Sequence, residues 1–214
     1  MQKVMSIAAV LAVVAIGVLV ATHSAGSGSA FAAMIDRINQ IRTVRFEMQT
    51  EVKDADEDLH LQSAVTLAKP WMRFETTMNG QKVVRITNTA EGKMLTLFEN
   101  SKTAKLGSAK GRPALSDAVE KLRNLPKQGA ESLGNESVGG IETLKYRQET
   151  KGDDYTVWID PMTKLPVQMK VVSDEAGETT TVTFSNFQWD VPVDPSQMTL
   201  VPPAGYEVAP SDQQ

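Results

Sequence analysis

Few side chains in this 214-residue chain could carry out covalent or metal chemistry. There is no cysteine, which excludes thiolate nucleophiles, thiolate metal sites and disulfides. The two histidines, His23 and His60, lie far apart in the sequence, which argues against a two-histidine metal site or a serine–histidine triad. The sequence therefore predicts neither a cofactor nor a bound metal ion.

Acidic residues are the remaining candidates for chemistry. Asp153, Asp154 and Asp160 lie near Tyr155 and form an acidic cluster beside a predicted strand. Carboxylates at strand ends and turns are usually solvated, so catalysis is the weaker interpretation and the chain is predicted not to be an enzyme. The acidic stretch 54–58 could be a metal site, but it lacks the glycine and terminal glutamate of a calcium loop. We interpret it as a solvated hairpin turn.

The N-terminal segment points to export or membrane anchoring. Residues 4–21 form an unbroken run of apolar or small residues after Lys3, close to the shortest run that spans a bilayer. The triplet at 30–32, Ala-Phe-Ala, also resembles a signal-peptide cleavage site, so both interpretations stay open. Either one places the rest of the chain outside the cytoplasm. The predicted organisation is an anchor or signal peptide (1–22), a flexible linker (23–30), a folded domain (31–208) and a tail (209–214).

The hydrophobic pattern predicts a sheet covered by helices. Apolar residues at helical spacing from Phe31 to Ile41 predict an amphipathic helix that packs on the sheet, with a membrane-surface helix as the alternative. From Val44 the period changes to two, and about nine or ten antiparallel strands follow in hairpin order, interrupted by a helix at 113–125. An apolar sheet face must roll up or be covered. The predicted fold is therefore mainly β (α+β), an incomplete antiparallel β-barrel, or half-barrel, covered by the N-terminal helix and an inserted lid helix.

The alternation also predicts which side chains face inward. These side chains are uncharged, so they enclose either a packed core or an apolar ligand cavity. The predicted cavity residues are Val44, Phe46, Met48, Leu61, Val65, Leu67, Met72, Phe74, Leu144, Tyr146, Val167, Met169 and Val171. On the inserted helix, Leu115, Val119 and Leu122 are predicted to form the lid. The net charge of −4 gives a nucleic-acid partner no electrostatic support.

Several stretches resemble the lipoprotein carrier superfamily of LolA and LolB, to which the sensor domain of RseB is related. They are VTLAKPWMRFE at 65–75, EGKMLTLF at 91–98, WIDPMTKLP at 158–166, TTVTFSNF at 180–187 and PPAGY at 202–206. These strand-and-turn patterns cover roughly residues 31–208. The resemblance implies a half-barrel whose helical lid closes over an apolar cavity that binds the acyl chains of lipoproteins.

The resemblance also implies a lid latch. In the carriers, an arginine ahead of the proline between the second and third strands helps to hold the lid. Lys69, ahead of Pro70, occupies that position and keeps the charge but lacks the planar donor fork of arginine.

Two functions are consistent with these patterns. The first is an extracytoplasmic domain of the carrier or acceptor type, on the outer side of the inner membrane of a bacterial envelope. Its ligands would be lipid or lipoprotein acyl chains. The alternative is a membrane-anchored sensor or interaction domain of the same fold, with another envelope protein as its partner. In both, the N-terminal segment associates with the membrane.

Overall fold

The computed structural model describes residues 28–53, 58–109, 129–150, 152–175 and 178–209. Strands make up 64% of these residues, and α1 (Gly28–Gln40) is the one long helix among them. The strands are β1 (Thr43–Lys53), β2 (Asp58–Ala68), β3 (Trp71–Met78), β4 (Gln81–Asn88), β5 (Lys93–Phe98), β6 (Thr103–Ser108), β7 (Glu131–Val138), β8 (Ile141–Glu149), β9 (Asp153–Ile159), β10 (Pro166–Glu175), β11 (Glu178–Trp189) and β12 (Glu207–Ala209).

The twelve strands form one open, curled sheet that does not close into a barrel within the described residues. Its order is β12-β6-β5-β4-β3-β2-β1-β11-β10-β9-β8-β7, so two meanders meet where β1 lies beside β11. Asn79 and Gly80 both have positive φ between β3 and β4, as a two-residue hairpin turn with the sequence Asn-Gly requires. The predicted fold class, an incomplete and mainly antiparallel barrel, is confirmed.

The predicted strand count was too low because two strands lack alternation. β7 is exposed from Glu131 to Ser137, so its sequence carries no apolar face. It contains a bulge between Ser132 and Gly134, and it forms one end of the sheet. β12 forms the other end and pairs with β6 in parallel, which the prediction of antiparallel hairpins did not include.

The chain divides into two compact units. Among the described residues, the helix unit comprises 28–40, 50–53, 58–60, 129–150, 152–175 and 178–183. The tail unit comprises 41–49, 61–109 and 184–209.

In the helix unit, α1 is a packing helix, as predicted. Its apolar stripe, Phe31, Met34, Ile35 and Ile38, is at most 1% exposed. The helix contacts β9, and the Phe31 ring lies 5.7 Å from that of Tyr146 on β8. A membrane-surface helix would present this stripe to lipid, so that alternative is wrong.

In the tail unit, the last segment of the chain, which we call the tail (residues 190–209), packs on one face of the sheet. Leu200 and Tyr206 contact a buried cluster on β4, β5 and β6, together with Trp71. The cluster consists of Val84, Ile86, Leu95, Leu97 and Ala104. We call this side of the sheet the tail face.

The remaining predicted elements lie largely outside the described residues. These are the anchor or signal peptide (1–22), most of the linker (23–30), most of the acidic stretch, and the lid helix with Leu115, Val119 and Leu122. Helix α1 begins at Gly28, so it includes the end of the predicted linker. Within the described ranges, no helix has the length and apolar character needed to cross a membrane.

Candidate functional site

Six of the predicted cavity residues form a buried apolar surface in the tail unit. They are between 0% and 8% exposed: Val44, Phe46, Met48, Val65, Met72 and Phe74. Val65 pairs directly with Phe74, and directly paired residues in antiparallel strands project from the same side of the sheet. We call this side the apolar face. Leu61 and Leu67 are half-buried, and Leu67 pairs with Met72 on the same face.

The apolar face and the tail face are opposite sides of the sheet. Phe74 on the apolar face is followed by Glu75, which pairs with Val84 of the cluster beneath the tail. Successive strand residues point to opposite sides. The tail therefore does not cover the apolar face.

Three aromatic residues extend the apolar face onto β11. The Phe46 ring centroid lies 5.7 Å from that of Phe184 and 5.5 Å from that of Phe187. Phe187 in turn stacks on Trp189, with centroids 4.9 Å apart. Strict alternation would put residues 184 and 187 on opposite sides. Asn186, with φ of 54°, is in the left-handed region, and this local break lets both rings contact Phe46.

Across β4 to β6 the apolar face becomes polar. Arg85 pairs with Phe74 on one side and Thr96 on the other. Thr87 pairs with Met72 and Met94. The hydroxyl-bearing residues Ser63, Thr76, Thr87 and Thr96 are between 4% and 9% exposed. Sequence reasoning missed this region, because Val84 and Ile86, the obvious inward residues of β4, belong to the tail face.

The other predicted cavity residues belong to the helix unit. Tyr146 and Met169 both pair with Val157, and all three are buried on the side that α1 covers. Val171 is buried in the neighbouring row, opposite Tyr155. The remaining two are half-buried: Leu144 lies opposite Ile159, and Val167 lies at an irregularity between Pro166 and Gln168.

The acidic cluster is not the solvated group that the sequence suggested. Asp153 is 8% exposed and accepts hydrogen bonds from the Tyr155 hydroxyl at 3.0 Å and from the Ser173 hydroxyl. Burial, together with the charge and hydrogen bond of Asp153, raises the pKa of Tyr155 far above its usual value. Gln148 pairs with Tyr155 and is buried as well. Asp153 is thus a hydrogen-bonded part of the helix unit's interior.

The other two carboxylates have structural partners. Asp154 accepts hydrogen bonds from Arg147 Nε and Nη2 at 2.7 to 3.0 Å. Asp160 accepts hydrogen bonds from the Met162 amide at 2.7 Å and the Thr163 hydroxyl at 2.8 Å in the β9–β10 turn. Burial raises the pKa of Asp160, but these hydrogen bonds outweigh it and hold that pKa below the usual value.

Comparison with known proteins identifies the fold. Neither a family model nor a curated protein matches the sequence. Among solved structures, LprF from Mycobacterium bovis matches with a TM-score of 0.55 at 13% identity, over 81% of this chain and 97% of that one. The lipoprotein LppX from Mycobacterium tuberculosis matches with a TM-score of 0.50 at 16% identity, over 79% of this chain and 99% of that one. A LolA superfamily protein from Nitrosomonas europaea matches with a TM-score of 0.39 at 10% identity, over 78% and 96%.

The chain shares its fold with LprF and LppX. At identities of 13% and 16%, what is shared is the arrangement of the chain. In this fold, the turn between β2 and β3 contains Lys69, the predicted lid latch. Lys69 is exposed and precedes Pro70 through a cis peptide bond. The carbonyl of Pro70 accepts hydrogen bonds from the amide and the hydroxyl of Thr89, both at 2.9 Å.

Proposed function

We propose that the chain is a non-enzymatic, extracytoplasmic domain that binds lipid or lipoprotein acyl chains in the manner of a carrier or acceptor. The apolar face of the tail unit is the proposed binding surface, and the segment with Leu115, Val119 and Leu122 is the proposed lid. The observation that carries the proposal is the apolar face itself: six large apolar side chains on β1, β2 and β3, extended by Phe184 and Phe187, in a fold shared with LprF and LppX.

The composition of this face suits an acyl chain. Each methylene group removed from water contributes about 0.8 kcal/mol, so a long chain gains several kcal/mol from contact with such a surface without any directional bond. Phe46 and Phe74 offer broad, flat contact, while Met48 and Met72 adapt to chains of different shape. A surface of this kind selects for apolar character rather than for one molecule.

The surroundings of the acidic residues support a binding role over catalysis. A general acid or base must reach its substrate. Asp153 is buried against Tyr155 and Ser173, Asp154 is held by Arg147, and Asp160 closes a turn. Each carboxylate thus has a structural task in the helix unit.

Lipid mass spectrometry tests the proposal. Residues 28–214, which start where α1 begins, are expressed for export and purified without detergent. We expect acyl lipid to co-purify, and a fluorescent fatty acid to bind. Phe46→Asp should abolish both signals, because it places a charge in the centre of the apolar face. Gln49→Asp, which adds the same charge at an exposed position of β1, is the matched control and should leave both unchanged.

A second variant separates a ligand cavity from a packed core. Val65 is fully buried on the apolar face. If the face borders a cavity, Val65→Phe should fold with wild-type stability and bind less fatty acid. If the face is tightly packed, the added volume costs about 1–3 kcal/mol of unfolding free energy. That loss, combined with no lipid on the wild-type protein, would contradict the proposal and favour the sensor alternative.

A further inference from the structure

The part of the apolar face on β4 to β6, which we call its polar half, carries the positively charged residues Arg85 and Lys105. The strand pairings place Val65, Phe74, Arg85, Thr96 and Lys105 in one row across β2 to β6. Paired residues project from the same side of the sheet. This row therefore runs from two buried apolar side chains, through a half-buried guanidinium, to an exposed ammonium group.

The two flanking rows contain no opposing charge. One consists of Ser63, Thr76, Val83, Phe98 and Thr103, and the other of Leu67, Met72, Thr87, Met94 and Gly107. All acidic residues of the paired segments of β2 to β6 are thus outside these three rows. Glu75, which forms an ion pair with Arg73 at 2.9 Å, is on the tail face. Among the described residues, the charged side chains in these three rows are therefore both positive, Arg85 and Lys105.

Hydroxyl groups surround Arg85 on this face. Thr96 on β5 pairs with it directly, and Thr87 lies two residues further along β4. Thr76 on β3 lies opposite Val83, and its hydroxyl donates to the Gln62 carbonyl at 3.0 Å. All three threonines are at least 91% buried. Ser63 lies at the same depth, and its buried hydroxyl has no hydrogen-bond partner within the described residues. Buried hydroxyl groups that can donate a hydrogen bond suit an anionic oxygen as well as the guanidinium does.

The geometry points to a head-group site: Arg85 binds the anionic head of a lipid whose acyl chain lies on Val65 and Phe74. Lys105, on β6 beside the end strand β12, attracts that head. This assignment rests on the proposed function and names its ligand class as amphiphiles with a carboxylate or phosphate head. Neighbouring strands lie about 4.8 Å apart, so a head group on β4 is next to a chain on β2 and β3. A guanidinium has five N–H donors in a planar fork, which matches either anion in a bidentate arrangement.

Paired ligands that differ only in charge test the assignment. The full chain is purified in a non-ionic amphipol, and binding of radiolabelled oleate, oleoyl lysophosphatidate and methyl oleate is measured by equilibrium dialysis. We expect oleate and lysophosphatidate to bind about tenfold or more tightly than the uncharged ester. Arg85→Met should remove that preference, because it should weaken the binding of the two anions about tenfold more than it changes the binding of methyl oleate. Lys105→Gln should weaken anion binding by a smaller factor, and added salt should reduce its effect.

Arg85→Lys supplies the matched control. It keeps the charge and loses the fork, so we expect an oleate affinity between those of the wild type and Arg85→Met. If Arg85→Met fails to fold, the wild type and Arg85→Lys are compared for their preference for oleate over methyl oleate. A smaller preference in Arg85→Lys then supports the head-group site. Equal affinity of the wild type for all three ligands would overturn the head-group site and leave acyl-chain binding intact. No binding of any of them would instead refute the proposed function.

Discussion

The hydrogen bond between Tyr155 and Asp153 makes a testable contribution to stability. Tyr155 is 4% exposed, and its hydroxyl donates to Asp153 Oδ2 at 3.0 Å. In Tyr155→Phe this donor is lost while the ring remains. A hydrogen bond to a charged group contributes about 1.5–3 kcal/mol. We therefore expect the variant to lose about that much unfolding free energy at neutral pH.

The pH dependence gives the same interaction a second signature. Burial and the nearby Asp153 raise the pKa of Tyr155, so the folded protein keeps the phenolic proton at a pH where the unfolded chain, with a tyrosine pKa of about 10, releases it. The stabilisation is complete below pH 10 and declines as the pH rises towards the folded-state pKa. The decline is about 1.4 kcal/mol per pH unit, or about 2–3 kcal/mol by pH 12. Tyr155→Phe lacks this decline, so the two stability curves should converge.

The assay is urea unfolding followed by far-ultraviolet circular dichroism at half-unit steps from pH 8 to pH 12. Other groups titrate in this range, and taking the difference between the wild type and Tyr155→Phe removes their shared contribution. The two curves should differ by about 1.5–3 kcal/mol at pH 8 and by almost nothing at pH 12. Parallel curves would refute the reasoning, because they would mean that Tyr155 ionises equally well in the folded and unfolded states.

Two further predictions concern the tail unit. Leu200→Ala should lower the unfolding free energy by about 1–2 kcal/mol, since half-buried Leu200 packs on the tail-face cluster. The control Val201→Ala, at a position that is 71% exposed, should change the free energy of urea unfolding by less than about 0.5 kcal/mol. Equal effects of the two variants would contradict the packing of Leu200. Asn186→Val should lower the unfolding free energy by about 1–2 kcal/mol, because a β-branched residue is strained at φ of 54°. Asn186→Gly should be nearly neutral in thermal unfolding, because glycine adopts positive φ without strain. A valine variant as stable as the wild type would mean that the chain does not need a left-handed residue at this position.

The fold could be predicted where the sequence has a regular period. The alternation of Val44, Phe46 and Met48 fits a strand with one buried face. The helical spacing of Phe31, Met34 and Ile38 fits a helix that packs on the sheet. Both elements lie where the pattern put them. Asn79-Gly80 is a second clear local signal, since both residues adopt the positive φ of a two-residue hairpin turn.

Less could be predicted from the sequence where both sides of a strand are buried. On β4, Val84 and Ile86 face the tail cluster, and Arg85 between them belongs to the apolar face. β12, at the end of the tail, is an end strand of the sheet. No local signal, however, shows that a distant segment such as Leu200 covers a sheet face. Asp153 was misjudged for the same reason, because its burial depends on Ser173, a neighbour brought by strand pairing.

The position of β11 beside β1 has a consequence for synthesis. β1 acquires this neighbour only after the intervening strands β2 to β10 have been made, and the tail-face cluster acquires Tyr206 later still. Contacts between such distant segments form slowly. If the chain is exported N-terminus first, strands β1 to β6 emerge before β11. Until β11 follows, one edge of β1 is unpaired and apolar surface is accessible to other chains. Folding of this protein should accordingly depend on holdase chaperones, and stop codons ahead of Tyr206 should yield aggregated rather than shortened, folded protein.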